Sequence, residues 1–298
     1  MASSFTAVDL SQLPLPAAVE PLDYETILAA MVADLVARDA SFTAMVESDP
    51  AHKVLEVAAY REFLLRQRVN EAIKATTLAY AVGADLDNIA ANYNVQRLLL
   101  DAGNPDAIPP VPPTYEGDEA LRRRVQLAFE GFSTAGPEGA YLFHSLSADA
   151  DVLDAAATSP TPGAVSVAIL SRVDDGVASV ELLAAVTAAL GDDVRPLTDN
   201  VTVQAAVILP YTVVATIKTY SGPDAAVVMA ASQAAIESYT ETSMRLGRDI
   251  TLSGIYHALH QDGVQNVTLT QPTADIVADW GQAARCTAIT LTNGGIGE

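Results

Sequence analysis

The chain has 298 residues, half of them hydrophobic and 18% charged, so it can bury a sizeable core and should be folded rather than disordered. Its net charge of −21 excludes a general affinity for phosphate backbones, which depends on clustered Lys and Arg, and for anionic lipid surfaces. A single cysteine, Cys286, excludes an intrachain disulfide and a cysteine-based zinc cluster.

No basic residue precedes Arg38 and no apolar h-region is present near the N-terminus, so no secretory signal is expected. Tyr24, Ile27, Leu28, Met31, Val32, Leu35 and Val36 recur at helical spacing and predict a helix from about Asp23 to Arg38. Asp49-Pro50 opens a second helix, with aspartate as cap and proline at the first helical position. No breaker follows before Gly83, so this helix is expected to run about 48 Å. Along it Leu55, Ala58, Glu62, Leu65, Val69, Ala72, Thr76 and Ala79 follow a roughly seven-residue stripe. That stripe suits either the protein's own helical bundle or one shared between chains, with Leu55, Leu65, Val69 and Ile73 as the candidate inter-chain residues. A short helix from Leu86 to Tyr93, capped by Asp85, is expected next.

Residues 101–117 carry five prolines and read as a stiff, extended linker. Beyond it the periodicity becomes mixed. Helices are expected over Glu119–Phe129, capped by Asp118, and from Pro137. A hairpin of Val152–Ser159 with the Val165, Val167, Ile169 alternation should follow, then a helix from Ser179 to Gly191 and a strand over Val201–Val207. A second mixed unit comprises strand Tyr211–Tyr220, helix Pro223–Glu241, short helix Gly254–Gln261 and strands Val264–Thr270 and Thr287–Thr292. The uncharged run Val201–Ile217 is rich in β-branched residues and reads as strand, not membrane span. The fold class is therefore α+β: a helical N-terminal domain (1–100), the linker (101–117), and two mixed α/β domains with small sheets (118–208 and 209–298).

Chemistry is sparse. Gly294-Gly295-Ile296-Gly297 has no helix after it to hold a pyrophosphate and reads as a flexible tail. His257 and His260 could share a helix face, but only Asp262 accompanies them. Asp149, Asp151 and Asp154 lack the closing glutamate of a calcium loop and read as a solvated loop. Asp174-Asp175-Gly176 reads as a turn. Arg122, Arg123 and Arg124 point about 100° apart on a helix and read as a solvated face or as salt bridges to an acidic partner. Cys286 has only Arg285 nearby to activate it. No catalytic, cofactor or metal site is expected.

Several stretches resemble the phage baseplate assembly protein J family. They are Tyr60–Glu71, Ala84–Ala90, Glu119–Leu127 with Ser133–Tyr141, Arg195-Pro-Leu-Thr-Asp-Asn-Val-Thr-Val203, Leu246–Ile250 and Gly263–Leu269. They lie in one order from Tyr60 to Leu269. The resemblance implies a structural wedge subunit of a contractile tail, in a phage or an R-type pyocin, and not an enzyme. It implies a hetero-oligomer: two copies joined to a second, protein I-like wedge protein through an N-terminal helix bundle, and in contact with other baseplate and hub or sheath-initiator proteins. It further implies a homodimeric contact through the C-terminal domain, linking wedges into a ring around the hub that transmits the contraction trigger, with no nucleic acid or membrane partner. Such a protein is made in the host bacterial cytoplasm and resides in the virion baseplate or tailocin particle. A tail assembly chaperone and an α+β enzyme are the alternative readings.

Overall fold

Asp23 and Asp49 each have extended backbone and turn the chain into a helix. This is visible in the computed structural model, which describes residues 8–42, 45–222 and 224–297. The chain forms two compact units, one of Val8–Gln96 with Gly117–Arg122, the other including Arg97–Glu116 and Arg123–Glu298.

In the first unit, α1 (Tyr24–Arg38) starts where the Asp23 carboxylate accepts the Thr26 N–H at 2.9 Å. Helix α2 (Pro50–Ala75) starts at the Asp49 cap, which accepts from Ala51 N–H at 2.8 Å. Its Leu55, Ala59 and Phe63 pack on Ile27, Leu28 and Met31 of α1. The sequence pattern suggested continuation to Gly83, but α2 ends at Ala75, after 26 residues and about 39 Å. Thr76 and Thr77 are the cause: their hydroxyls donate back to the Ile73 and Lys74 carbonyls at 2.8 and 2.9 Å. Those last carbonyls are thereby satisfied without another turn.

Gly83 opens α3 (Gly83–Ala91) instead of closing α2, at φ +54°, a conformation that glycine adopts without strain. Val82, not Asp85, occupies the cap position. The Gly83 N–H donates to the Asp118 carboxylate at 3.1 Å, so Asp118 serves α3, while in α4 (Asp118–Gly131) it is the first residue. Arg122 of α4 donates to the Leu78 and Ala81 carbonyls, both at 2.8 Å. The segment before α1 lies against α2. Asn70 and Glu20 exchange hydrogen bonds at 2.8 and 3.0 Å, and Arg66 pairs with Glu20 at 3.0 Å.

In the second unit the proline-rich stretch is not an extended spacer. It doubles back, pairing β1 (Leu99–Asp101) antiparallel with β2 (Thr114–Tyr115), with a further bridge between Asn104 and Val111. Gly103 permits this close return. Its φ is +68°, and a Cβ there would stand 2.3 Å from the Val111 carbonyl oxygen. Glu116 then enters the interior, where its carboxylate accepts from Leu98 N–H at 3.0 Å and from Arg124 Nε at 3.3 Å. Both charged residues are 4% exposed.

After α5 (Glu138–Ala148), β3 (Val152–Thr161) and β4 (Ala164–Ser171) form an antiparallel hairpin. Helix α6 (Val180–Ala189) is capped by Ser179 and carries the chain to β5 (Asn200–Ala205), parallel to β4. Val167 and Ile169 pack with Leu142, Leu146, Leu182 and Val186 on the helical side. The neighbouring β4 residues Ala168 and Leu170 are equally buried, since Leu170 packs with Ala206, Ala283, Ile208, Met244 and Leu246. At Ala206 the extended chain changes sheets: Ala206 N–H donates to Ile169 and Val207 N–H to Gly281.

Strand β6 (Val207–Thr219) is central to the second sheet. After α7 (Ala225–Ser243) and α8 (Leu252–Leu259), β7 (Val264–Gln271) pairs antiparallel with β6, and β8 (Gln282–Ile296) pairs parallel with its other side. Val213, Ala215 and Ile217 pack under Ile236, Ile255 and Leu259. The glycine-rich end is therefore strand rather than flexible tail, and Gly297 N–H donates to Thr219 O at 2.9 Å.

Removing one member of a buried ion pair leaves the other charged and unsolvated, at a cost of about 3–5 kcal/mol. Glu116→Ala should therefore lower the free energy of unfolding by about that amount, read as a lower urea midpoint. Glu116→Leu combined with Arg124→Met should recover most of the loss, because no charge then remains inside. Urea denaturation followed by circular dichroism checks both.

Candidate assembly surfaces

Opposite the face that α2 packs on α1, Val54, Val57, Leu64, Leu65 and Val69 are exposed, Leu65 by 69% and Val69 by 56%. Together with Arg61 and Arg68 these residues follow three- and four-residue steps and form one stripe along the helix. Arg61 and Arg68 share that stripe, and Arg68 lies 3.8 Å from Glu71.

The structure separates the four residues picked from the seven-residue spacing. Eighteen residues make about five turns, so Leu55 and Ile73 fall on one line, with Leu65 and Val69 turned from it by about 80° and 40°. Leu55 lies against the Ile27–Leu28–Ala59 cluster and Ile73 is half-buried. Leu65 and Val69 belong to the exposed stripe. Val54, Val57 and Leu64 were missed, although their spacing was available, because the repeat was drawn through Leu55 and Glu62.

The arginine run is not a solvated face. Arg122 binds main-chain carbonyls, Arg123 donates to Asp154 at 2.7 Å, and Arg124 is buried with Glu116. Asp154 likewise leaves the expected solvated loop: it is 4% exposed, and its second oxygen accepts from Leu246 N–H at 3.0 Å. Asp149 closes a turn by accepting from Asp151 N–H. Asp174, at φ +53°, and Gly176 form the expected turn, and Asp175 pairs with Arg285.

His257 lies in the last turn of α8 and His260 at its C-cap. Among the described residues no three His, Cys, Asp or Glu side chains are grouped to hold a metal. Burial pushes the Cys286 thiol up, disfavouring the thiolate, and its Sγ lies 3.4 Å from the Ala288 carbonyl oxygen. Among the described residues no helix is long and apolar enough to cross a membrane.

Two of the stretches that carry the family resemblance meet in space. Tyr141 donates to the Asp199 carboxylate at 2.6 Å, and Arg195 donates to the Asp199 carbonyl at 2.6 Å and to Asp192 at 2.7 Å. Gly136, at φ +77°, lies against Pro196. Burial first, then this hydrogen bond, raises the Tyr141 phenol above its ordinary value. The phenol stays a donor, and the cluster clasps two loops together.

Models of the Baseplate J-like N-terminal, central and C-terminal domains match residues 47–104, 133–205 and 211–292. Baseplate protein J of Escherichia phage P2 is 48% identical over 299 residues, covering 98% of this chain and 99% of its own. Among solved structures, a chain of the sixfold-symmetrised cryo-EM baseplate of the anti-feeding prophage is similar at 14% identity and a TM-score of 0.39. That match covers 59% of this chain and 44% of the other.

A hydrogen bond to a partly exposed carboxylate contributes about 1–2 kcal/mol. Tyr141→Phe should lower stability by that amount in urea denaturation while leaving the far-ultraviolet circular dichroism spectrum unchanged.

Proposed function

The chain belongs to the baseplate J-like family, and on that premise we propose that this baseplate structural protein is a wedge subunit of a contractile tail. The observation that carries the reading is the ordered match of all three family domains, together with near-full-length similarity to a phage baseplate protein J.

In this reading the N-terminal region, 1–100, supplies α2 to a helical bundle with a second copy and one protein I-like wedge protein. The stripe of Val54, Val57, Leu64, Leu65 and Val69 is the contact surface. Arg61 and Arg68 on that stripe favour partner helices whose apolar seam has acidic flanks. Residues 118–208 form the body of the subunit. Residues 209–298 pair with their counterpart in a second copy, and such pairs link wedges into a ring around the hub. Repeated interfaces of this kind need shape and symmetry, not a cofactor. The ring holds the hub, meets the sheath initiator, and passes the signal for contraction. The protein is made in the host cytoplasm and resides in the particle, whether virion or tailocin.

Leu65 and Val69 are exposed in the single chain, so Leu65→Asp with Val69→Asp should change its own stability by no more than about 1 kcal/mol. Charges in the seam should abolish co-purification with the second wedge protein. Normal co-purification of that double variant would count against α2 as the contact. A wedge subunit must also be found by mass spectrometry in purified tail particles at a fixed ratio to the sheath protein; absence from intact particles would contradict the assignment.

A further inference from the structure

Strand β8 ends its sheet, whose order is β7-β6-β8. On its outer side Ala283 bridges to Leu246, and Gln282 accepts from Gly247 N–H. Beyond that, among the described residues, β8 has no strand partner other than β6. Edge strands are ordinarily guarded by charge, proline, shortness or a covering element. Here the strand runs for 15 residues, and no Asp, Glu, Lys, Arg or Pro stands between Cys286 and Ile296. The opposite edge, β7, is 8 residues long and is stopped by Pro272.

Two features indicate what covers the open edge. Residues 125–298 hold 6 basic and 19 acidic residues, a net of −13, so two copies repel each other except where charge is absent. The β8 edge is such a place. Ile289 and Leu291 border the second core and are only partly buried, leaving that core unfinished on this side.

We propose that β8 of a second copy of this chain pairs antiparallel with this one, about a twofold axis through Thr290. The proposal rests on the C-terminal self-pairing described above and names the element that performs it. An antiparallel edge is self-complementary under a twofold axis, so the free N–H and C=O groups of the two strands satisfy one another. The regular stretch is bracketed by register shifts near Thr287 and Gly294, which centres the pairing on Thr290. Ile289 then faces Leu291 of the copy, and Leu291 faces Ile289, continuing both cores across the seam. Ala288 faces Thr292 of the copy on the exposed side of the sheet.

This register predicts a charge test. The test uses the full chain carrying Leu65→Asp and Val69→Asp, so that association through α2 does not enter. Sedimentation velocity should show self-association. Ala288→Glu with Thr292→Glu places like charges opposite each other twice and should weaken it roughly tenfold. Ala288→Lys with Thr292→Glu places opposite charges there and should restore association, which also shows that substitution at these exposed positions leaves the fold intact. Amide exchange within 286–296 should slow as protein concentration rises. If both double variants associate as the parent does, the copies meet elsewhere: β8 pairing is overturned and C-terminal self-pairing stands. If both are weakened alike, the register is wrong and the proposal fails. If the parent chain stays monomeric, C-terminal self-pairing itself fails, and this proposal with it.

Discussion

Arg124 and Glu116 lie together in the interior of an acidic protein, and much of the second unit depends on that contact. Neither charge could remain there alone. Each needs the other, and Glu116 also needs the Leu98 N–H, while its own carbonyl accepts from Arg97 at 2.7 Å. These requirements close the loop between β1 and β2 and set the start of α4's buried side. Arg124 reaches as far as Ser147 of α5, at 3.4 Å. One residue earlier, Arg123 pairs with Asp154, whose other oxygen holds the Leu246 main chain. One short helical segment thus connects the hairpin, the first sheet and the loop after α7 through charge-assisted hydrogen bonds, which are stronger than neutral ones.

The strong negative charge of the chain has a counterpart in where charge is missing. The outer stripe of α2 is largely apolar, and β8 has no charged residue from Cys286 to Ile296. A particle assembled from many copies of an acidic subunit needs solubility before assembly and close approach during it. Dispersed carboxylates supply the first through long-range repulsion. In the proposed assembly, apolar or uncharged surfaces serve the second, because repulsion between the remaining charges is screened over about 8–10 Å.

The Asp49 cap, the helix start at Ser179, the hairpin at Pro160–Gly163 and the order of mixed elements were legible in the sequence. They depend on neighbours within a few residues, and caps, turns and periodicity are local. The family was legible too, because its motifs are contiguous stretches. What the sequence could not settle was set by partners far along the chain. The end of α2 is the local exception, since the Thr76 and Thr77 hydroxyls bond carbonyls only three residues back. Asp118 looks like the cap of α4 until it is found receiving the Gly83 N–H, and Asp154 looks like a loop acid until Arg123 and Leu246 meet it. Prolines at 105–113 suggested a rod, yet Gly103 and the Asn104–Val111 bridge fold them back. Composition and periodicity thus determined which elements exist and in what order. Only tertiary structure decided which face of α2 is free, where each arginine goes, and that β8 is a long edge strand, because burial and pairing belong to contacts between segments and not to the segments themselves.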